Sequence, residues 1–264
     1  DYDVLDGIGG PLGLIDDQVA AGELQERFRV WVAKRFAPQL ESLGWAAPPD
    51  EDDARRLRRA AIVRLVGSIA EAPAVIAEAR RRLDAYLADR SSLEPNLADP
   101  VVALAARSGD SALYDRYRRV IIDAATPQEH RRFLLNLASF RRRELIERTL
   151  AATLGAEIPT QDVAFIYMRL FSNPEGGALS WRFLTKNWKT LRRRIPPLML
   201  SRLVEATPSL REPRYAREVG SFFRAHPVAE ARRSLKQALE IFRLNADLRR
   251  RITPGISRWL RGSG

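Results

Sequence analysis

An all-α fold is predicted by three features of this 264-residue sequence. Apolar residues recur at helical spacing almost everywhere, no stretch sustains the alternation of a strand, and turn-forming residues fall roughly every 12 to 20 positions, the length of an ordinary helix plus its connection. Leu113, Tyr117, Val120 and Ile121 form one such stripe; Leu145, Ile146 and Leu150 form a second; Leu235, Ala238, Leu239 and Phe242 form a third.

The elements follow in chain order. Gly7-Ile8-Gly9-Gly10 precedes Pro11 and follows no strand, so it reads as a flexible terminus or turn. A helix opens at Asp50, whose carboxylate can accept backbone N–H groups while Glu51, Asp52 and Asp53 put negative charge against the positive helix end; it should run to about Gly67. Gly109-Asp110-Ser111 separates a helix ending near Arg107 from one starting near Ala112. Thr126-Pro127-Gln128-Glu129 is the clearest start signal, with a capping Thr126, Pro127 at the first helical position and Glu129 reaching back, so residues 127 to about 138 are expected to be helical. Residues 172–177, Ser-Asn-Pro-Glu-Gly-Gly, make the strongest break of the second half, and Ile195-Pro196-Pro197 the next stop. The pieces pair into antiparallel hairpins with short turns, the pattern of an α-solenoid of HEAT-like repeats without a strict period. A compact helical bundle gives much the same pattern, and periodicity does not separate the two.

Composition narrows the chemistry. The chain is 45% hydrophobic and 29% charged, the balance of a globular protein with a sizeable core. No stretch approaches the roughly 18 uncharged apolar residues of a membrane span, so no membrane partner is expected. The absence of Cys removes disulfides, thiolate nucleophiles and Cys-ligated zinc, and suits a cytoplasmic location. The chain begins at Asp1 rather than Met, so upstream sequence is expected. The net charge of +11 raises nucleic acid as a partner, but the Arg runs at 55–59, 80–82, 141–143, 192–194 and 249–251 are dispersed rather than clustered, which favours solvated helix faces. Only Lys34, Lys186, Lys189 and Lys236 are lysines, so the basic excess is an Arg excess.

No catalytic constellation is visible. The only histidines, His130 and His226, are too far apart in sequence for an H-E-x-x-H pair, and each reads as a surface or capping residue. There is no phosphate-binding glycine loop, dinucleotide fingerprint or nucleophile elbow. Asp16 with Asp17, and Asp52 with Asp53, are the acidic pairs of first helical turns. No catalytic residue, metal ligand or cofactor is assigned to this chain.

One segment is more specific: Gln161-Asp162, then Asn173, Gly176, Trp181-x-Phe183 and Asn187-Trp188. In order and spacing it resembles the C-terminal domain of aminopeptidase N-type zinc metallo-aminopeptidases, including the antigen-trimming enzymes of the endoplasmic reticulum. Phe36-Ala37-Pro38 to Leu43-Gly44-Trp45, the helix of Arg56 and Leu65, Gly109-Asp110 with Tyr114-Asp115, Gln237-Ala238-Leu239-Glu240, Asn245 and Trp259 match further parts of the same pattern. Trp181 and Trp188, seven apart, should share a face of one helix, with Asn187 bonding from it to a neighbour. Three departures stand out. Gly177 replaces an Arg common in the family, and Leu137 and Ser172 stand where some antigen-trimming members place Arg. Leu12 to Asp17 resembles the family's first helix, but the helix of Phe28 follows too soon, so Leu14, Ile15 and Val19 are expected to lie uncovered.

The resemblance implies a right-handed superhelix of antiparallel HEAT-like hairpins, with residues 1–22 a partial first helix and linker and residues 23–264 the helical C-terminal domain. It implies a non-catalytic role: the domain bounds the chamber of an upstream catalytic domain of the same polypeptide, which holds the zinc and hydrolyses peptide N-termini, and it regulates peptide access. The partners implied are that catalytic domain and peptides. Gln161, Asp162, Asn173, Gly176, Trp181, Phe183, Asn187 and Trp188 are then mainly structural, and Arg182, Lys186 and Lys189 are candidate contacts for an acidic peptide end, against the plainer reading of solvated cations. The alternative is a free-standing basic HEAT-like solenoid that binds nucleic acid or a protein partner.

Overall fold

The computed structural model describes residues 2–262, all in helices and their connections, with no strand among them. The helices are α1 (Tyr2–Leu14), α2 (Glu23–Leu43), α3 (Asp53–Arg64), α4 (Pro73–Ala88), α5 (Pro95–Arg107), α6 (Ser111–Asp123), α7 (Pro127–Asn136), α8 (Arg143–Ala152), α9 (Thr160–Ser172), α10 (Gly177–Lys186), α11 (Trp188–Arg194), α12 (Pro197–Glu205), α13 (Arg214–Ala225) and α14 (Arg232–Gly262). The chain divides into two compact units, one of the residues up to Ser108 together with those from Arg249 onward, the other of Gly109–Leu248.

In the first unit, α3 packs against α1, α2 and α5, and α4 against α5. Its core is Ile62, Val63 and Val66 with Leu83, Leu97, Val101, Leu104 and Phe28, all essentially without exposure. The glycine-rich start is helical rather than a loose turn. Gly9 lies opposite Leu65, which would meet a Cβ there at 3.8 Å, and Leu5 is buried, so tertiary packing overrides the weak helix propensity of the glycines. The π-helical turn Ile15–Val19 that continues α1 buries Asp16, Gln18 and Val19, and only Leu14 of the expected uncovered stripe is exposed. Bidentate Asp16 holds Arg29 at 2.8 and 2.9 Å, and that hydrogen-bonded carboxylate raises the guanidinium's pKa further.

The helix expected at Asp50 starts three residues later, because Asp52 is the cap, accepting from the Arg55 N–H at 2.7 Å; it passes into a π-helical turn, Leu65–Ile69. Asp50 and Glu51 precede it, and Glu51 serves a different purpose. Arg59 has no exposed surface. It donates to Glu51 at 2.5 and 2.6 Å and to the carbonyls of Leu43 and Gly44 at 3.0 Å each, tying α3 to the end of α2. Gly44 has φ +65, a left-handed conformation that glycine adopts without strain, and the chain turns there toward Trp45, over whose ring Arg82 sits at 5.1 Å.

In the second unit, α6 packs on α7, and α9 is central, meeting α7, α10 and α12. Thr126 caps α7 through the Glu129 N–H, as its sequence signal predicts, and Asp110, in the expected break between helices, caps α6 through the Leu113 N–H. Tyr114, Tyr117, Phe133 and Phe140 make an edge-on aromatic core with centroids 4.8 to 5.3 Å apart. The helices therefore form as the 3.6-residue pattern requires. Among the described residues no single helix is long and apolar enough to cross a membrane.

Candidate functional site

The signature segment is spread over α9, α10 and α11. Asp162, in the first turn of α9, is buried and ion-paired with Arg131, whose guanidinium also lies 4.6 Å over the Phe165 ring; neighbouring Gln161 is exposed. Asn173, just past α9, uses its whole amide on backbone: Nδ2 donates to the carbonyls of Ala138 and Phe140 at 2.9 and 2.8 Å, and Oδ1 accepts from the N–H groups of Glu175 and Gly176 at 3.0 and 3.2 Å. Gly176 must be small there, since a Cβ would stand 3.0 Å from both the Leu170 carbonyl oxygen and the Asn173 Cβ. At Gly177 a Cβ would meet the Phe171 carbonyl at 3.3 Å, so the residue that departs from the family pattern sits where any side chain is crowded.

Trp181 and Trp188 are both buried, but not on one helix. Asn187, with φ −106 and ψ 16, ends α10 and opens α11. Its Nδ2 donates to the Phe183 carbonyl at 2.9 Å, so it closes its own helix instead of bonding to a neighbour; half-buried Phe183 supplies that carbonyl. The two indoles nonetheless converge on the same pair of rings, Phe222 and Phe223 of α13, at centroid distances of 5.5 to 6.2 Å. Trp181 Nε1 donates to Glu218 at 3.0 Å, while Trp188 Nε1 is buried without a hydrogen-bond partner among the described residues. His226 stacks on Phe222 at 4.5 Å at the end of α13, consistent with a capping residue. Every buried member of the signature thus has a packing or hydrogen-bonding role inside the fold.

The exposed residues of α10 and α11 are cationic. Arg182, Lys186 and Lys189 are exposed, as are Arg192 and Arg193, and no ion pair joins any of these five to a carboxylate among the described residues. Other members of the Arg runs are committed: Arg55 pairs with Glu51 at 2.9 Å, Arg81 and Arg82 with Glu78 at 2.6 and 2.7 Å, and Arg143 with Glu147 at 2.8 Å. His130 lies near the start of α7, and among the described residues no three of His, Cys, Asp and Glu come together as a metal-binding group.

The second unit also contains a pocket of about 130 Å³ that the sequence reading missed. Its walls are Tyr114, Ile121, Leu134, Leu137, Ala152 and Ile158, and Arg118 and Glu157, ion-paired to each other, line it on the solvent side. The spacing of Tyr114, Arg118 and Ile121 puts them on one face of α6, but Glu157 and Ile158 come from the loop after α8, so no local pattern announces the site. Leu137, one of the departures from the antigen-trimming pattern, is buried in its wall; Ser172, the other, is exposed at the end of α9.

The sequence matches the ERAP1-like C-terminal domain family over residues 1–244. The chain belongs to that family. Among curated relatives, Aminopeptidase M1-A of Oryza sativa subsp. japonica is 26% identical over 237 residues, covering 86% of this chain and 26% of the rice protein. Aminopeptidase M1 of Arabidopsis thaliana is 29% identical over 177 residues, 64% of this chain and 20% of that protein, and Probable aminopeptidase 2 of Sulfurisphaera tokodaii is 33% identical over 105 residues, 38% and 13%. The chain therefore spans about a quarter or less of the relatives it matches, and it corresponds to the C-terminal domain of M1-type aminopeptidases.

Proposed function

We propose that this domain works as the non-catalytic C-terminal part of a zinc aminopeptidase, bounding the substrate chamber and regulating which peptides reach an upstream active site. The observation that carries this reading is the family match over residues 1–244, together with relatives that are aminopeptidases several times longer than this chain. Zinc would then be held by residues of the upstream domain, where it would supply a polarised water for peptide hydrolysis. The part assigned to this chain is to exclude and to steer. Its helices give walls, and the unpaired cations Arg182, Lys186 and Lys189 on α10 and α11 give an electropositive patch suited to an acidic peptide end. Binding energy taken up by a remote part of a peptide can select substrates without touching the reacting bond. The match to aminopeptidases supports this reading over a free-standing nucleic-acid-binding solenoid, for which neither the comparisons nor the dispersed arginine runs offer support.

The test uses the full-length polypeptide. Charge reversal at Arg182, Lys186 and Lys189 should raise KM for peptides with an acidic C-terminal half by about tenfold and leave cleavage of a single-residue aminoacyl reporter unchanged. Equal effects on both substrates, or none on either, would remove the proposed role. A coding sequence with no upstream zinc domain would remove the reading altogether.

A further inference from the structure

We propose that the pocket between α6, α7 and the loop after α8 is a binding site for a free α-amino acid with an apolar side chain. Its carboxylate would be taken by Arg118 and its ammonium group by Glu157. The proposal stands apart from the chamber reading above, since it concerns different residues and a different ligand.

Size comes first. The pocket's volume of about 130 Å³ is close to that of dry cavities lined by Leu, Ile and Phe that hold a benzene-sized guest, which are about 150 Å³. A branched aliphatic or a single aromatic ring fits such a space. The walls are right for it, because Leu134, Leu137 and Ile158 are almost completely buried and present only hydrocarbon. The one polar group in the wall, the Tyr114 hydroxyl, is already engaged with Thr149 Oγ1 at 3.0 Å. Recognition of charge thus falls to the mouth.

The mouth carries one cation and one anion, and that is what selects the ligand class. Arg118 and Glu157 pair with each other, but their side chains are 40% and 56% exposed, so their mutual attraction is largely screened and little is lost in separating them. A zwitterion placed between them exchanges one solvent-exposed ion pair for two charge-assisted ones, while its side chain enters the apolar pocket. Other ligand classes use the site less fully. The interior of a peptide brings neither charge, a peptide C-terminus brings only a carboxylate, and a neutral hydrophobe leaves both groups idle.

The two charged residues are also held in place. Arg118 projects from a helix capped by Asp110. The segment bearing Glu157 is anchored at both ends by Arg194, which donates to the Thr153 carbonyl and to the Ile158 carbonyl at 2.9 Å each. Arg148 lies 4.6 Å over the Tyr114 ring and fixes the floor. A site built on anchored backbone needs little reorganisation to bind.

The test is a titration of the purified chain with leucine, N-acetyl-leucine and leucine amide, followed by amide chemical shifts and by the shift in thermal unfolding. Free leucine is expected to move the signals of Leu134, Leu137 and Ile158, with either blocked analogue weaker by about tenfold, the usual loss for one charge-assisted hydrogen bond. Arg118→Gln should weaken leucine to a similar extent and leave leucine amide unchanged; Glu157→Gln should weaken leucine and leave N-acetyl-leucine unchanged. Both side chains are surface groups, and an unaltered unfolding midpoint in the absence of ligand verifies that each variant folds. Failure of leucine to perturb those signals overturns the proposal. So does N-acetyl-leucine binding as tightly as leucine, which would make the site a simple carboxylate or peptide C-terminus receptor.

Discussion

Replacing Arg59 with Met isolates the contribution of one buried guanidinium. The two side chains have similar length and helix propensity, so the helix itself is little affected. What disappears is a fork that reaches the Glu51 carboxylate and two carbonyl oxygens at the end of α2. Those carbonyls and a carboxylate with little exposure are left without their main donor. Removing one partner from a buried ion pair costs about 3 to 5 kcal/mol when the other stays behind uncompensated, and Arg55, 2.9 Å from Glu51, keeps part of that compensation and sets the loss at the lower end of the range. With a urea m-value of about 2.5 kcal/mol/M, the midpoint for the first unit should drop by roughly 1 to 2 M. Trp45, which follows Gly44 directly and lies under Arg82, is the local fluorescent probe, and far-UV circular dichroism reports the helices. Arg59→Lys should fall between the two, since one ammonium group cannot serve a carboxylate and two carbonyls with the same geometry. Glu51→Gln in the Met background should cost much less than in the native chain, because the two residues act as a pair. A Met variant within about 0.5 kcal/mol of the native protein would refute the reasoning.

Two further expectations follow from the same kind of accounting. Trp188→Ala should destabilise the second unit by about 3 to 5 kcal/mol, as truncation of buried aromatics does, and hydrogen exchange in α13 should accelerate because Phe222 and Phe223 lose their facing ring; slow exchange there would mean the cluster is incidental. The Glu51 carboxyl is held below its ordinary 4.5 chiefly by its hydrogen bonds to Arg59, so its contribution is present above pH 4.5 and is lost as the pH falls below that value. Acid unfolding of the Arg59→Met variant should accordingly depend less on pH than that of the native chain, and parallel curves would contradict this.

How much of this was legible in the sequence differs from element to element. Thr126 caps its helix as its local signal predicts, and the break at Gly109-Asp110-Ser111 falls between two helices as expected, because a cap or a break is decided within about four residues. Gly7 to Gly10 misled because propensity is local while the packing of Gly9 against Leu65 is not. Trp181 and Trp188 were recognisable as core residues, yet their seven-residue spacing concealed the break at Asn187, whose side chain bonds back to Phe183 and stops the helix. Arg59 could not be told from its four Arg and Leu neighbours, since burial of a guanidinium depends on carbonyls more than a dozen residues away. The pocket was invisible for the same reason: Arg118 and Glu157 are brought together by three helices and a loop.

The residues that reveal the family and the residues open to a ligand are different sets, and the chemistry of Asn173 explains why. An Asn amide has two donor hydrogens and an acceptor oxygen, and here two donor bonds and two accepted ones all go to backbone, where they fix the turn between α9 and α10. Such a residue tolerates no replacement, but it has nothing left with which to recognise a substrate. Asp162 is likewise engaged by Arg131, and Trp181 by Glu218. A sequence signature built from saturated groups reports the fold. Discrimination among ligands must come from groups whose partners are solvent or weakly held neighbours, which in the second unit are the cations of α10 and α11 and the Arg118–Glu157 pair. Substitutions in the first set should therefore change stability, and substitutions in the second should change binding with the fold intact.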